Sequence, residues 1–212
     1  MMNILHVIAN PKPVAEAHSK QLAAAFFTAL KAKQPGNQVT ELDLYANPPP
    51  FYDYETYRHF WYPVFDPAYK ASEKEMAAAQ YARQHCGLFN QADLLVITTP
   101  LWNFGMPAIL KAWLDQVLMP NVTFTIGGNG VKGLHHIRKV VALVSSGGTY
   151  EAGDSRDGIR NGLRAAFGFV GITDIEVAWS QGQNPLFFKD AAERHKRAIW
   201  DAMQLGEAVA GL

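Results

Sequence analysis

The strongest constraint on this chain is a rhythm: short apolar runs alternate with longer stretches of helical periodicity from end to end. Residues 4–9 read as a first strand. Residues 15–33 read as a helix with Leu22, Ala25, Phe26, Ala29 and Leu30 on one face. Gln34-Pro-Gly-Asn37 stops that helix. Residues 38–44 alternate, with Val39, Leu42 and Leu44 set against Thr40, Glu41 and Asp43, and read as a second strand. Three more strands are predicted over 93–98, 139–145 and 174–179. Further helices are predicted over 71–89, 107–118, 157–169 and 189–209. Strands alternating with helices predict an α/β fold: one five-stranded parallel sheet, covered by helices on both faces and joined by right-handed crossovers. At 212 residues, 49% of them hydrophobic, the chain can bury the core of one such domain spanning 1–212.

Charge narrows the partners. Lys and Arg number 19, Asp and Glu also 19, and no basic run appears, so nucleic acid and anionic membrane surfaces have no electrostatic support. The single cysteine, Cys86, excludes an intrachain disulfide and reads as a buried thiol near a helix end. Such sparing use of cysteine fits a reducing cytoplasm. Residues 1–8 lack the basic and apolar regions of a signal peptide, and no run approaches the roughly 20 apolar residues of a membrane span. A soluble, cytoplasmic protein without membrane insertion is expected.

Three loops follow predicted strands and should meet at one edge of the sheet, where open α/β sheets bind ligands. The first, Asn10-Pro-Lys-Pro-Val-Ala-Glu-Ala-His18-Ser19, runs into a helix whose free N–H groups suit a phosphate, with Asn10, His18 and Ser19 as side-chain partners. Ser19 reads equally as a plain helix N-cap. The loop is neither a Walker loop nor G-x-G-x-x-G, so nucleoside triphosphates and conventional dinucleotide binding lose support. The second, Pro100-Leu101-Trp102-Asn103-Phe104-Gly105-Met106-Pro107, offers flat apolar faces and prealigned N–H groups ahead of a helix start. It also reads as an ordinary connection with a core Trp. The third, Ser145-Ser146-Gly147-Gly148-Thr149-Tyr150, lets backbone approach a flat ring closely, or is simply a turn. The seven histidines show no triad context and no metal-ligand spacing.

Residues 47–67 break the rhythm with a Pro- and aromatic-rich insertion too long for a simple connection. Its rings require burial. A lid over a ligand, a surface for a second subunit and a cap on the domain's own core are the three readings.

Pro100-Leu-Trp-Asn-Phe-Gly-Met-Pro-Ala-Ile-Leu-Lys-Ala-Trp-Leu-Asp115 closely resembles the signature of the flavodoxin-like, FMN-dependent NAD(P)H:quinone oxidoreductases and azoreductases, and Asn121-Val-Thr-Phe124, Gly133-Leu134 and the run 139–148 match as well. The resemblance implies a flavodoxin-like sheet of order 2-1-3-4-5. It also implies two-electron transfer from NAD(P)H to quinones or azo compounds by a ping-pong mechanism, in a homodimer with the active site at the subunit interface. The flavin would carry the chemistry, so no catalytic side chain is expected. By the same resemblance Pro100, Leu101, Trp102, Asn103 and Phe104 would hold the flavin ring, Ser145, Gly147, Gly148 and Tyr150 would line its other side, and Asn10, His18 and Ser19 would hold the phosphate. Phe124, Tyr54 and Phe60 would meet the substrate. The family's phosphate loops carry more serines than this one, which has Ala9-Asn10 and Ala17-His18 in their place. FMN is the expected cofactor and FAD the alternative. A carrier-type or non-catalytic flavin-binding protein is the rival function.

Overall fold

A central parallel sheet organises the chain, and residue alternation along its strands divides the interior into two cores. A computed structural model describes residues 1–212. The sheet contains β1 (Asn3–Ile8), β2 (Gln38–Asp43), β3 (Leu94–Pro100), β6 (Lys139–Ser145) and β7 (Ile175–Ser180), in the order β2-β1-β3-β6-β7, all parallel. Counting only these five gives the expected order 2-1-3-4-5. Successive side chains of a strand point to opposite faces. Leu94, Val96, Val141 and Leu143 therefore join one core, under α1 (His18–Lys33) and α7 (Ala191–Ala208). Leu95, Ile97, Val140, Ala142 and Val144 join the other, under α4 (Gln80–Gln91), α5 (Ala108–Val117) and α6 (Arg160–Phe169). Every residue of β3 is buried, as a central strand requires, whereas the first four residues of β2 are exposed at the edge.

Helix α7 reaches α1 through small residues. Ala198, Ala202 and Gly206 recur every fourth position and are all buried. A Cβ on Gly206 would lie 2.3 Å from the Phe26 carbonyl oxygen, so only glycine permits this approach.

The structure departs from the sequence reading in several elements. Helix α1 begins at His18 rather than 15, because Val14–Glu16 forms a separate 3-10 turn after Pro11 and Pro13. The helix expected over 71–89 is two, α3 (Glu73–Ala78) and α4, parted at Ala79, whose ψ of −2° opens the turn. Residues 124–133 form an unforeseen hairpin of β4 (Phe124–Gly127) and β5 (Gly130–Gly133), joined by Gly128 and Asn129. The insertion contains a helix, α2 (Tyr54–Phe65), capped by Asp53, whose carboxylate accepts from the Thr56 N–H at 2.8 Å. Its rings Tyr54, Tyr57, Trp61 and Phe65 form a stacked ladder with centroids 6.3–6.5 Å apart.

A knot of polar groups ties α2 down. Glu75 accepts from Tyr69 Oη (2.7 Å), Arg58 Nε (2.6 Å) and the Ser72 N–H (2.9 Å). These bonds, the Tyr69 hydroxyl first, hold its carboxyl at about 2. Beneath α2, Phe60 packs with Ala79, Ala82, Met119 and Cys86 in a third small core. The Cys86 thiol is fully buried, points at the Gln116 and Val117 carbonyls, and is pushed by burial to about 12.

Candidate functional site: a cleft at the carboxyl edge of the sheet

The strand order reverses between β1 and β3, with β2 added on one side and β3, β6 and β7 on the other, which makes the carboxyl edge there the crevice of the sheet. A cavity of about 260 Å³ opens at this place. Its walls come from the loop after β1 (Asn10, Lys12, Glu16, Ala17, His18), the end of β3 and its loop (Pro100, Leu101, Trp102), the loop after β6 (Ser145, Ser146, Gly147) and the loop after β7 (Gln183, Asn184).

The loop after β3 is a tight reversal. Trp102 and Gly105 exchange backbone hydrogen bonds at 3.1 and 2.9 Å, and the two residues between them, Asn103 and Phe104, both have positive φ, +47° and +65°. That is the pattern of a type I′ turn. Asparagine tolerates it, but a phenylalanine there is a strained outlier, of the kind that clusters at functional sites. The turn is braced from below: the Gly158 N–H donates to the Phe104 carbonyl at 3.1 Å, and a Cβ on Gly158 would stand 2.2 Å from that oxygen. Trp102 and Phe104 keep exposed apolar faces.

The loops after β6 and β7 are stitched together. Gly182 and Gln183 donate from their backbone N–H groups to the carbonyls of Gly148 and Ser146, both at 2.9 Å, and Asn184 donates to that of Gly147 at 3.3 Å. Ser146 is a buried post: its hydroxyl donates to the Gly148 carbonyl and accepts from Trp179 Nε1, both at 2.8 Å. The N–H groups of Asn103, Phe104, Gly147, Gly148 and Thr149 make no hydrogen bond within the chain. Gly147 lines the cleft and Asn103 and Phe104 form the turn adjoining it, so open donors of two loops border it. A planar ring with acceptor atoms along its edge fits such donors.

The loop after β1 serves a different group. Ala17, the N-cap of α1, has no side chain to satisfy the first helical N–H groups, so they stay open to an anion. Lys12 adds charge, and His18 stands as the first helical residue. Burial, then the charge of Lys12, lowers the His18 pKa. Asn10 is buried; its amide nitrogen donates to Ser19 Oγ at 2.9 Å and its oxygen accepts from the Lys12 N–H at 3.1 Å, which sets the loop's curve. The donor set suits a phosphate at this end and a flat heterocycle at the other.

Of the residues expected at the site, Asn10, His18, Pro100, Leu101, Trp102, Ser145 and Gly147 line the cleft, and Asn103 and Phe104 form the adjoining turn. Ser19 is fully buried beneath Asn10 and does not reach the wall. Gly148 lies on the stitched loop. Tyr150 is not part of the cleft wall; it stacks on Trp179 with centroids 5.6 Å apart, its hydroxyl beside Gly148. The three expected substrate contacts lie elsewhere: Phe124 is buried against Phe169, Phe60 is buried in the third core, and Tyr54 is on the exposed ladder, its hydroxyl 3.3 Å from that of Tyr62. Sequence reasoning missed Lys12, Glu16, Ser146, Gln183 and Asn184. The first three lie inside loops already singled out. Gln183 and Asn184 follow the last strand, and the rule that all parallel strands end at one edge applies to that loop as well.

These features agree with comparisons to known proteins. The family described as having a flavodoxin-like fold matches residues 2–203. The FMN-dependent NADH:quinone oxidoreductase 1 of Bacillus licheniformis is 33% identical over 192 residues, covering 87% of this chain and 88% of its own. An FMN-dependent NADH:quinone oxidoreductase of Azotobacter vinelandii is 37% identical over 166 residues, 78% of this chain and 81% of its own. Among solved structures, an azoreductase from Bacillus anthracis superposes with a TM-score of 0.87 at 28% identity, over 98% of this chain and 100% of the other. The chain belongs to the flavodoxin-like fold family, in the group of FMN-dependent NADH:quinone oxidoreductases.

Proposed function

We propose that this protein is an FMN-dependent NADH:quinone oxidoreductase that also reduces azo compounds, with its cofactor in the cleft at the carboxyl ends of β1, β3, β6 and β7. The observation that carries this reading is the set of unpaired N–H groups of Asn103, Phe104 and Gly147 at the cleft, beside an uncapped helix start. FMN, when bound, supplies the two-electron step between donor and acceptor. The chain's residues do the rest. Pro100, Leu101 and Trp102 give the ring a flat apolar wall. The open N–H groups would meet its polar edge and would favour negative charge there. The start of α1, Lys12 and His18 take the phosphate, and Ser19 holds Asn10 in the shape that leaves room for it.

NADH and then the acceptor occupy the same open side of the cleft in turn, which gives ping-pong kinetics. The side is completed by a second copy of the chain. Phe51, Phe65, Leu186 and Phe187 are 67–86% exposed, more apolar surface than a monomer ordinarily leaves in water, and the α2 ladder adds to it. The donor NADH is a cytoplasmic metabolite, and we place the enzyme there.

The test is an absorption spectrum of the purified protein, chromatography of the heat-released cofactor, and initial rates of NADH oxidation with a quinone and with an azo dye. Bound FMN, turnover of both acceptors and parallel double-reciprocal lines are expected. Protein that binds no flavin even after FMN is added overturns the reading, and intersecting lines overturn the ping-pong order.

A further inference from the structure

The loop after β1 lacks the usual means of holding its shape. Its N-cap is alanine, and Ser19, its one hydroxyl, is spent on Asn10. The 3-10 turn Val14–Glu16 is held from behind instead, by Gln21. Its side-chain nitrogen donates to the carbonyls of Val14 (3.0 Å) and Ala15 (3.1 Å). Its oxygen lies 2.7 Å from Nε2 of His195, on α7. Nδ1 of His195 lies 2.9 Å from Ser180 Oγ, at the end of β7. The Ser180 carbonyl in turn accepts from the Ser146 N–H at 3.0 Å.

The acceptors orient the middle of this relay. Carbonyl oxygens only accept, so the Gln21 amide nitrogen must face Val14 and Ala15, and its oxygen must face His195. Nε2 of His195 therefore carries a proton, and burial, which lowers the ring's pKa, favours the neutral form in which Nδ1 accepts from the Ser180 hydroxyl. In that form both its nitrogens are satisfied. Its ring meets that of His18 edge to face with centroids 4.6 Å apart, a ring contact that the phenylalanine of His195→Phe can keep.

Given that the cleft takes FMN, we infer that His195 is a positioning residue for the phosphate end of the site: it acts through Gln21 on the Val14–Glu16 turn and joins that turn to the loop after β6 by way of Ser180. A helix more than a hundred residues downstream thereby shapes the phosphate loop, the role that loop serines would otherwise fill.

The test separates the phosphate from the ring. Apoprotein is titrated with FMN and with riboflavin, which has the same ring and no phosphate, by quenching of flavin fluorescence. The proteins compared are the wild type, His195→Phe, Gln21→Met and the double variant. Each single variant should raise the FMN Kd about tenfold, the scale of a lost hydrogen-bond anchor, and leave riboflavin binding unchanged. Because His195 acts through Gln21, the double variant should lose no more than Gln21→Met alone. FMN affinity unchanged in the variants, riboflavin weakening in step with FMN, or additive losses would overturn the inference. Wild-type protein that binds neither flavin overturns the cofactor reading itself. Gln21→Met lies on a separate helix and carries the test if His195→Phe does not fold.

Discussion

Phe104 sets affinity against ease of folding. Its φ of +65° costs an ordinary side chain roughly 1–2 kcal/mol, yet the turn needs that geometry to present its N–H groups. Phe104→Gly relieves the strain and removes the ring. The apoprotein should then melt no lower than wild type while the FMN Kd rises roughly tenfold; a thermal melt and a fluorescence titration check both, and a lower melting temperature with undiminished binding would reject the strained-turn account. Gly158 makes the complementary case. Gly158→Ala drives a methyl group into the Phe104 carbonyl and should cost flavin affinity without touching any residue of the cleft wall. Unchanged flavin content in that variant would show that the turn does not depend on its brace. Neither effect is legible in the sequence, where Gly158 looks like a residue of a helix start. Its role exists only because the chain brings it back under a turn some fifty positions earlier.

At the scale of elements, the Glu75 knot makes α2 and α3 one unit. Glu75→Ala strips the partner from Arg58 and Tyr69 at once and removes half of the capping box with Ser72. The melting temperature should fall by several degrees, and amide exchange should rise first in Tyr54–Phe65. Exchange that instead rises uniformly would mean α2 is held mainly by Phe60 and its neighbours. The five central strands and the loops after β1, β3 and β6 were legible in the sequence, because buried parallel strands are unbroken apolar runs and their loops carry Pro and Gly at fixed places. The β4–β5 hairpin was not, since four-residue strands with glycines at Gly127, Gly130 and Gly133 have no usable periodicity. The helix α2 was hidden by its own composition: Pro63 and a crowd of rings read as irregular chain, although Asp53 three residues before Thr56 is a cap signal. Phe124 and Phe60 were expected near the substrate from the family resemblance, and their burial within the single chain is a tertiary fact that sequence does not report.

For the molecule as a whole, acid is the weak direction. His18, His59, His85, His135 and His195 all have their pKa values lowered from 6.5, burial being the first cause in each. The unfolded chain takes up protons that the fold resists, so stability falls as pH drops below about 6.5. Glu75 acts in the same sense further down: its contribution is present above about 4.5 and is lost as pH approaches 2. The apoprotein should therefore melt highest near neutral pH and progressively lower from about pH 6.5 downward; a melting temperature flat to about pH 5 would contradict this. Gly206→Ala is a second whole-molecule lever. Its methyl group would meet the Phe26 carbonyl, separating α7 from α1, at a cost of about 1–3 kcal/mol in overall stability. Finally, the placing of Cys86 bears on how long such an enzyme lasts. Quinones are electrophiles that add to exposed thiolates, and an enzyme that handles them meets them at every turnover. This molecule's one sulfhydryl lies sealed in the third core with its proton firmly held, so the catalyst offers its own substrates nothing to alkylate there.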